Sequence, residues 1–488
     1  MKWKKIVLVF SIGACFSISA CQKQLDINQD PNNPSTDQAT PTLLFPAAEI
    51  SAASAIGGEL AIIGMLWCEF TTEDVSSSQY RNFDSYNVTS TDLNTDYNQL
   101  YTGALNDLQL ILNKTAVSED WNYNLMATVL KVYTYQVLVD LYDQVPYSQA
   151  LQGTGNLQPD FDNGDNIYAA LLASLDTALS KNFEASTNTQ PGAEDFLFAG
   201  DMSKWKAFAN TLKLKMYLRM VNVKPADAEA GINALYSANA EFLTEDAGIT
   251  QWSTAPNKQN PFYTQNIYAL NTPSNLKASV TFISWLKANN DPRIVNFFGT
   301  NSPTGIDQGN YLSTNPVYKT ATTFVQQPTD PVQFISGPES YFMQAEARER
   351  YFAGDQAQSL YNAGVNAAFA FYGYDATTFI APGGAYAYPV AGTLDDKIDA
   401  IITQKWASLP GSHALEGWFE RNRTGFPKSS PVYSTDDVLY VPGQFVVSAT
   451  SVIGQAFPKR IVFPDFERSR NVNTPAQVPI TAPVWWGK

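Results

Sequence analysis

The sequence predicts a mainly α-helical protein built from stacked helical hairpins, with a loop-rich second half. Three observations carry this. Apolar residues recur at three- and four-residue steps in paired segments, the period of a helix that buries one face. Long stretches dense in aromatic residues, Pro, Gly and Asn separate the later pairs. No Gly/Ser-rich linker, low-complexity tract or charge block divides the chain, so one interwoven body is expected, and a hydrophobic fraction of 44% over 488 residues is ample for its core.

The first clear stripe is Met126, Val129, Leu130, Tyr133, Val137 and Leu141, which predicts a helix from about Trp121 to Leu141 with a mate over about Asn94 to Asn113. The second is Trp205, Phe208, Leu212, Met216 and Met220, with Lys206, Lys213 and Arg219 on other faces and a helix over Asn166 to Leu179 before it. Two more pairs follow, Glu339 to Phe352 with Asp355 to Phe371 around Gly354, then Leu394 to Ala407 with Leu415 to Asn422. Paired helices of this kind suggest a solenoid-like core, but a strict tetratricopeptide signature at a 34-residue period is missing. The stretches Thr250 to Asn275 and Gly299 to Gly337 read as ordered loops because of their many aromatics. Trp205 and Trp406 fall within helical patterns and should pack in the interior.

The amino terminus reads differently. Lys2, Lys4 and Lys5 precede an apolar run, Ile6 to Ala20, too short to cross a bilayer comfortably, so residues 1–20 are expected to be a secretory signal peptide. Ile18-Ser19-Ala20-Cys21 resembles a bacterial lipobox, in which Cys21 becomes the acylated amino terminus and several acyl chains make membrane attachment effectively permanent. Residues 21–40, broken by Asp30-Pro31 and Asn33-Pro34, read as an extended tether, and residues 41–488 as the folded body. No later segment reaches 18 apolar residues without charges, so no membrane-spanning helix is expected in the mature chain. The formal charge of −15 becomes −18 when the three signal-peptide lysines leave, which repels phosphate backbones and argues against a nucleic-acid partner. Cys15 leaves with the signal and Cys21 is acylated; Cys68 is then left without a disulfide partner, as a small buried hydrophobe.

The densest collection of chemical groups is Gln404 to Pro427, with Lys405, His413, Glu416, Glu420, Arg421 and Arg423. Glu416 and Glu420 are four apart and share a helical face, but a glycosidase places its two carboxyls about 5–9.5 Å apart across a sugar with one of them holding its proton. A structural network in which Arg421 or Arg423 forks onto carboxylates or helix-end carbonyls fits better. His413 is the only histidine, which removes any multi-histidine metal site, and it follows Pro410-Gly411-Ser412 as a turn residue at a helix start. Asp160-Phe161-Asp162-Asn163-Gly164-Asp165 is a weak calcium motif, since an EF-hand loop needs glycine at its sixth position and here it is fifth. No catalytic residue, metal site or cofactor is expected.

Several ordered strings resemble the SusD/RagB nutrient-binding outer-membrane lipoproteins, in particular their second SusD-like subgroup. They are LDINQDPNNP, LVDLYDQVPYSQAL, WKAFANTLKLKMYLRM, NDPRI, YFMQAEARER, QKWASLPGSHALEGWFERNRTGFP, FPKRIVFPDFERSRNVN and the terminal VWWGK. The chain departs from the subgroup at Glu420-Arg421-Asn422-Arg423, which is less arginine-rich, and at Ser408-Leu409-Pro410. The resemblance implies a tetratricopeptide-like α-α superhelix on a lipid-anchored, surface-exposed outer-membrane protein. It also implies a non-enzymatic role: binding oligosaccharides, or in some relatives peptides, and handing them to a SusC-type TonB-dependent transporter. Sugars stack their C–H faces on aromatic rings and need convergent amide or carboxylate partners. Two stretches mix both, which makes Tyr80, Phe83, Tyr86, Phe262, Tyr263 and Tyr268 candidates for the stacking platform. The alternatives are a surface-anchored glycoside hydrolase or an adhesion module.

Overall fold

The computed structural model describes residues 39–185, 187–432 and 435–487. The expected signal peptide, the lipidation at Cys21 and the tether through residue 38 lie outside the described residues.

Two helices open the body, α1 (Pro41–Ile56) and α2 (Glu59–Trp67), bent apart at Gly57-Gly58. Pro41–Trp67 has a mean hydropathy of 1.5 and is long and apolar enough to cross a membrane, but 78% of its most apolar window is packed inside the protein. It is a core element, with α2 buried almost all round while α1 keeps Leu43 and Ala47 exposed at its start. Gly64 is what lets α2 lie so close to its neighbour. A Cβ there would meet Leu415 N at 2.3 Å and the Ala414 carbonyl carbon at 2.5 Å, both backbone atoms with no freedom to move aside.

The strand β1 (Thr71–Glu73) leads through a π-helical turn (Gln99–Leu105) into the long hairpin of α3 (Asn106–Ser118) and α4 (Trp121–Tyr142). After the strands β2 (Gln144–Pro146) and β3 (Phe161–Asn163) come α5 (Gly164–Leu179), α6 (Met202–Met220) and α7 (Pro225–Ser237). The Asp201 side chain caps α6 by accepting from Ser203 N and Lys204 N, and Pro225 starts α7 where its missing N–H costs nothing. Helix α5 packs on α4 as well as α6, and α6 forms its hairpin with α7, a helix that the sequence stripes do not reveal.

The second half carries β4 (Ala247–Ile249), β5 (Leu276–Ala278), α8 (Val280–Ala288) and β6 (Val332–Ile335). Then follow the expected hairpin α9 (Gly337–Tyr351) with α10 (Ala357–Ala370), and α11 (Leu394–Ala407) with α12 (Leu415–Thr424). Ser336 caps α9, and Thr393 and Asp396 form a reciprocal capping box on α11. Gly425, with φ of 85°, ends α12 in the left-handed conformation. Three two-stranded antiparallel ladders, β1–β5, β2–β3 and β4–β6, stitch distant loops to the helices. One hydrophobic core runs from Phe45 to Trp486. Trp205 and Trp406 are both inside it, bonded through Nε1 to Asp195 and to the Cys68 carbonyl. Cys68 itself is buried, its thiol donating to the Ala414 carbonyl at 3.2 Å.

Candidate functional site

The two aromatic stretches singled out in the sequence are brought to one side of the molecule by the β1–β5 ladder, which pairs Thr71 with Ala278 and Glu73 with Leu276. Beyond the ladder, Asn275 continues the link by accepting from Asp74 N through its carbonyl and from Ser77 Oγ through its side chain. Their rings, however, do not form a platform. Tyr80, Phe83 and Tyr86 are each 2% exposed and flank the short helical turn Arg81–Asp84 on its inner side. Tyr86 meets Trp67 edge to face at 6.4 Å, and its hydroxyl accepts from Ser448 N. Rings so covered have no face to present to a sugar, so these three belong to the core rather than to a stacking surface. Phe262 is also buried but lines the cavity described below; Tyr263 is half-buried and Tyr268 exposed.

The chemically dense stretch Gln404 to Pro427 supplies half of a buried charge cluster. Lys215 and Arg219 descend one face of α6, and Glu416 and Glu420 one face of α12, each pair four residues apart. Lys215 Nζ lies 2.8 Å from Glu416 and 3.1 Å from Glu339 of α9; Lys405 Nζ of α11 lies 2.9 Å from Glu416 and 3.3 Å from Glu339. Arg219 contacts Glu416 at 2.7 Å, Asp140 of α4 at 3.2 Å, and Glu420. Its guanidinium is flanked by the rings of Phe419 and Trp486. Arg423 forks onto Glu346 with two 2.7 Å bonds and also reaches Glu420. No side chain of these central pairs is more than 5% exposed.

Burial opposes ionisation of Glu416, but Arg219, Lys215 and Lys405 outweigh it and hold the carboxyl down at about 2. For Glu420, Arg423, Lys405 and Arg219 overcome burial to the same result, about 2. A general acid must keep its proton near neutral pH, so two firmly ionised carboxylates cannot fill that role. The pair is structural. The expected fork onto a carboxylate is made by Arg423, while Arg421 donates to Ser429 Oγ and lies over the rings of Phe445 and Phe457. His413 sits in the turn before α12, its Nε2–H donating at 2.6 Å to Glu339, whose carboxylate is held well below its ordinary value. For Glu339, burial is overcome by Lys215, Lys405 and His413 itself.

The weak calcium motif is used locally. Asp162 lies in β3 and accepts from Ser148 N, Ser148 Oγ and Tyr147 N, closing the β2–β3 connection, while Asp160 accepts from Gln149 Nε2. Among the described residues no three His, Cys, Asp or Glu side chains are grouped to hold a metal ion.

A cavity of about 350 Å³ opens where the helices meet the loop-rich half. Six separate segments line it: Asp246, Asn260 to Phe262, Asn296-Phe297, Phe324 to Pro338, Ala368 to Tyr372 and Ser408 to His413. Asn260 and Ser412 fix its wall, since Asn260 Nδ2 donates to the Asp330 carbonyl at 2.8 Å and Ser412 Oγ to the Pro331 carbonyl at 2.6 Å. Phe297 stacks on Phe324 and meets Tyr372 edge to face, and Phe371 lies at the rim with 52% of its surface exposed. Asn296 and Gln327 add side-chain amides, and burial raises the Asp330 carboxyl above its ordinary value despite the bond from Gln327 N. Sequence reasoning missed this site because no two of its six walls are neighbours in the chain; Phe262 alone was among the candidates.

The fold agrees with what the chain is similar to. Residues 31–446 match the model of a SusD-like family described as starch-binding associating with outer membrane. The chain belongs to that family, and its fold is the tetratricopeptide-like helical one of SusD-like proteins. Among solved structures, a SusD homologue from Bacteroides uniformis has a TM-score of 0.74 at 19% identity, over 91% of this chain and 99% of that one. A chitin-binding SusD homologue from Flavobacterium johnsoniae has a TM-score of 0.73 at 22% identity, over 91% and 97%. A SusD homologue from Bacteroides fragilis has a TM-score of 0.70 at 18% identity, over 92% and 99%. No curated protein matches.

Proposed function

We propose that this chain is a surface lipoprotein, anchored through acylated Cys21, that captures oligosaccharides in the 350 Å³ cavity and passes them to a SusC-type TonB-dependent outer-membrane transporter. The observation that carries the reading is the composition of the cavity wall. Phe371 offers a ring face to sugar C–H groups, and the amides of Asn296 and Gln327 suit hydroxyls, in a family described as starch-binding. Tyr263 and Tyr268, on a neighbouring loop, are the sequence candidates that retain solvent access and could extend the surface for a longer chain.

Calorimetry against maltooligosaccharides and chitooligosaccharides tests the binding reading. Phe371→Ala is expected to weaken the best ligand by about tenfold, the value of one ring stacked on a sugar, with Asn296→Ala weakening it less. Loss at Tyr268→Ala with Phe371→Ala unaffected would move the site to the outer loop. Turnover of the sugar that disappears in Asp330→Asn would replace the reading by a hydrolase. Mass spectrometry of the cellular protein checks acylation at Cys21, and co-purification of a barrel transporter checks the delivery step.

A further inference from the structure

Away from the cavity, α3, α4 and α5 part to leave a cleft of about 310 Å³. Lys131 of α4 stands in its wall. The other interior lysines of the helical layers, Lys215 and Lys405, each face carboxylates within 3.3 Å. Lys131 has none: its Nζ donates to Gln109 Oε1 at 2.6 Å and lies 5.9 Å from the centre of the Tyr135 ring. The Gln109 amide is fixed in that sense because its Nε2 donates to Asn113 Oδ1 at 2.8 Å. An ammonium has three donors, so after Gln109 two remain toward the cleft.

The rest of the wall has a matching character. Thr128, Ser174 and Thr177 each give their hydroxyl proton to a carbonyl one turn back, at Asn124, Ala170 and Ala173, which leaves oxygen lone pairs as acceptors. Tyr147 closes the end. One uncompensated cation beside several hydroxyl acceptors suits a molecule with one negative charge and many O–H donors.

We propose that this cleft is a second, separate binding site for a small polyhydroxylated carboxylate, a sugar acid, whose carboxylate pairs with Lys131 and whose hydroxyls donate to Thr128, Ser174 and Thr177. The site does not depend on the cavity proposed for oligosaccharides. Burial alone lowers Lys131 to about 8, with no carboxylate acting on it, so a bound anion supplies the charge the site lacks. The neighbouring Tyr135 and Tyr147 are both raised above their ordinary value by burial, and the Asp162 carboxylate beside Tyr147 accepts from Ser148.

Titration calorimetry with D-glucuronate and with D-glucose on the full protein tests the proposal. Glucuronate is expected to bind saturably and glucose at least about tenfold more weakly, with Lys131→Gln reducing glucuronate to the glucose level. Phe371→Ala leaves glucuronate unchanged, which separates this site from the oligosaccharide cavity. Raising the pH from about 7 to 9 weakens glucuronate for the wild type and not for Lys131→Arg, a readout that a folding defect would not produce. Equal glucuronate affinity in Lys131→Gln, absence of saturable glucuronate binding to the folded wild type, or tighter binding of tetra-alanine than of glucuronate would each overturn the assignment.

Discussion

Replacing Arg219 by methionine is expected to destabilise the protein by about 3–5 kcal/mol, the usual effect of removing one partner from a buried ionic group. Arg219 lies on α6 and holds Asp140 of α4 and both Glu416 and Glu420 of α12. Methionine keeps the apolar contact with Phe419 and Trp486 but leaves Glu416 and Glu420 with only Lys215, Lys405 and Arg423, and Asp140 with no cation, only the neutral donors Gln136, Tyr168 and Trp486. The remaining carboxylates are at most 5% exposed, so water screens their repulsion poorly and it appears as lost stability. Denaturant unfolding measures it. The control is Lys204→Met, whose partner Glu245 is 55% exposed, and which should change stability by about 1 kcal/mol or less. If both variants unfold at the wild-type midpoint, the cluster does not join these helices. A stable Arg219→Met protein with altered oligosaccharide affinity would instead make the cluster part of the binding machinery.

The same cluster shows what could be read from sequence and what could not. Helices α4 and α6 were legible because each carries an apolar stripe at helical spacing, and α9 to α12 because turn residues punctuate them. Helices α1 and α2 were not, since α2 is buried all round and has no stripe, and α1 is rich in alanine with apolar residues on its exposed side as well, such as Leu43. The charges at Gln404 to Pro427 were visible, but their partners on α6 and α9 come from up to 201 residues away in the chain, the separation of Arg219 from Glu420. The loop rings misled for a different reason. Amide-rich surroundings suggested exposure, yet Tyr80, Phe83 and Tyr86 recur every third residue, and that spacing is itself the mark of one inward face on a short helical turn. A cavity walled by six separate segments leaves no local pattern at all, which is why Phe371, Asn296 and Gln327 emerge only from the fold.

Stability should pass through a maximum near pH 5 and fall on both sides, with the two arms set by different carboxyls. On the acid side, Glu416 and Glu420 titrate at about 2 in the folded protein against an ordinary 4.5, and Glu339 and Glu346 are also lowered, in each case because cations outweigh burial. Groups whose folded value is depressed contribute stability above about pH 4.5 that is lost as the pH falls toward 2. On the alkaline side the sign reverses. Burial raises Glu69 to about 8, Glu73 to about 7 and Asp84 to about 6, so these carboxyls favour the fold while protonated, and that contribution is lost as the pH rises from about 4.5 through 8. Glu69 isolates the second arm. Its Oε2 accepts from Thr281 Oγ1 at 2.6 Å and Val446 N at 3.1 Å, while Oε1 is buried without a partner, the natural place for a proton. Glutamine reproduces the protonated shape, its carbonyl taking both bonds. Glu69→Gln should therefore nearly match the wild type at pH 5 and exceed it by about 2–4 kcal/mol at pH 8, because each pH unit between the ordinary 4.5 of the unfolded chain and about 8 in the fold costs the wild type about 1.4 kcal/mol. Denaturant midpoints at the two pH values decide it: a wild type equally stable at both, together with no gain from Glu69→Gln, would mean that Glu69 is ionised in the core and that a cation, with Arg421 the nearest candidate, compensates it.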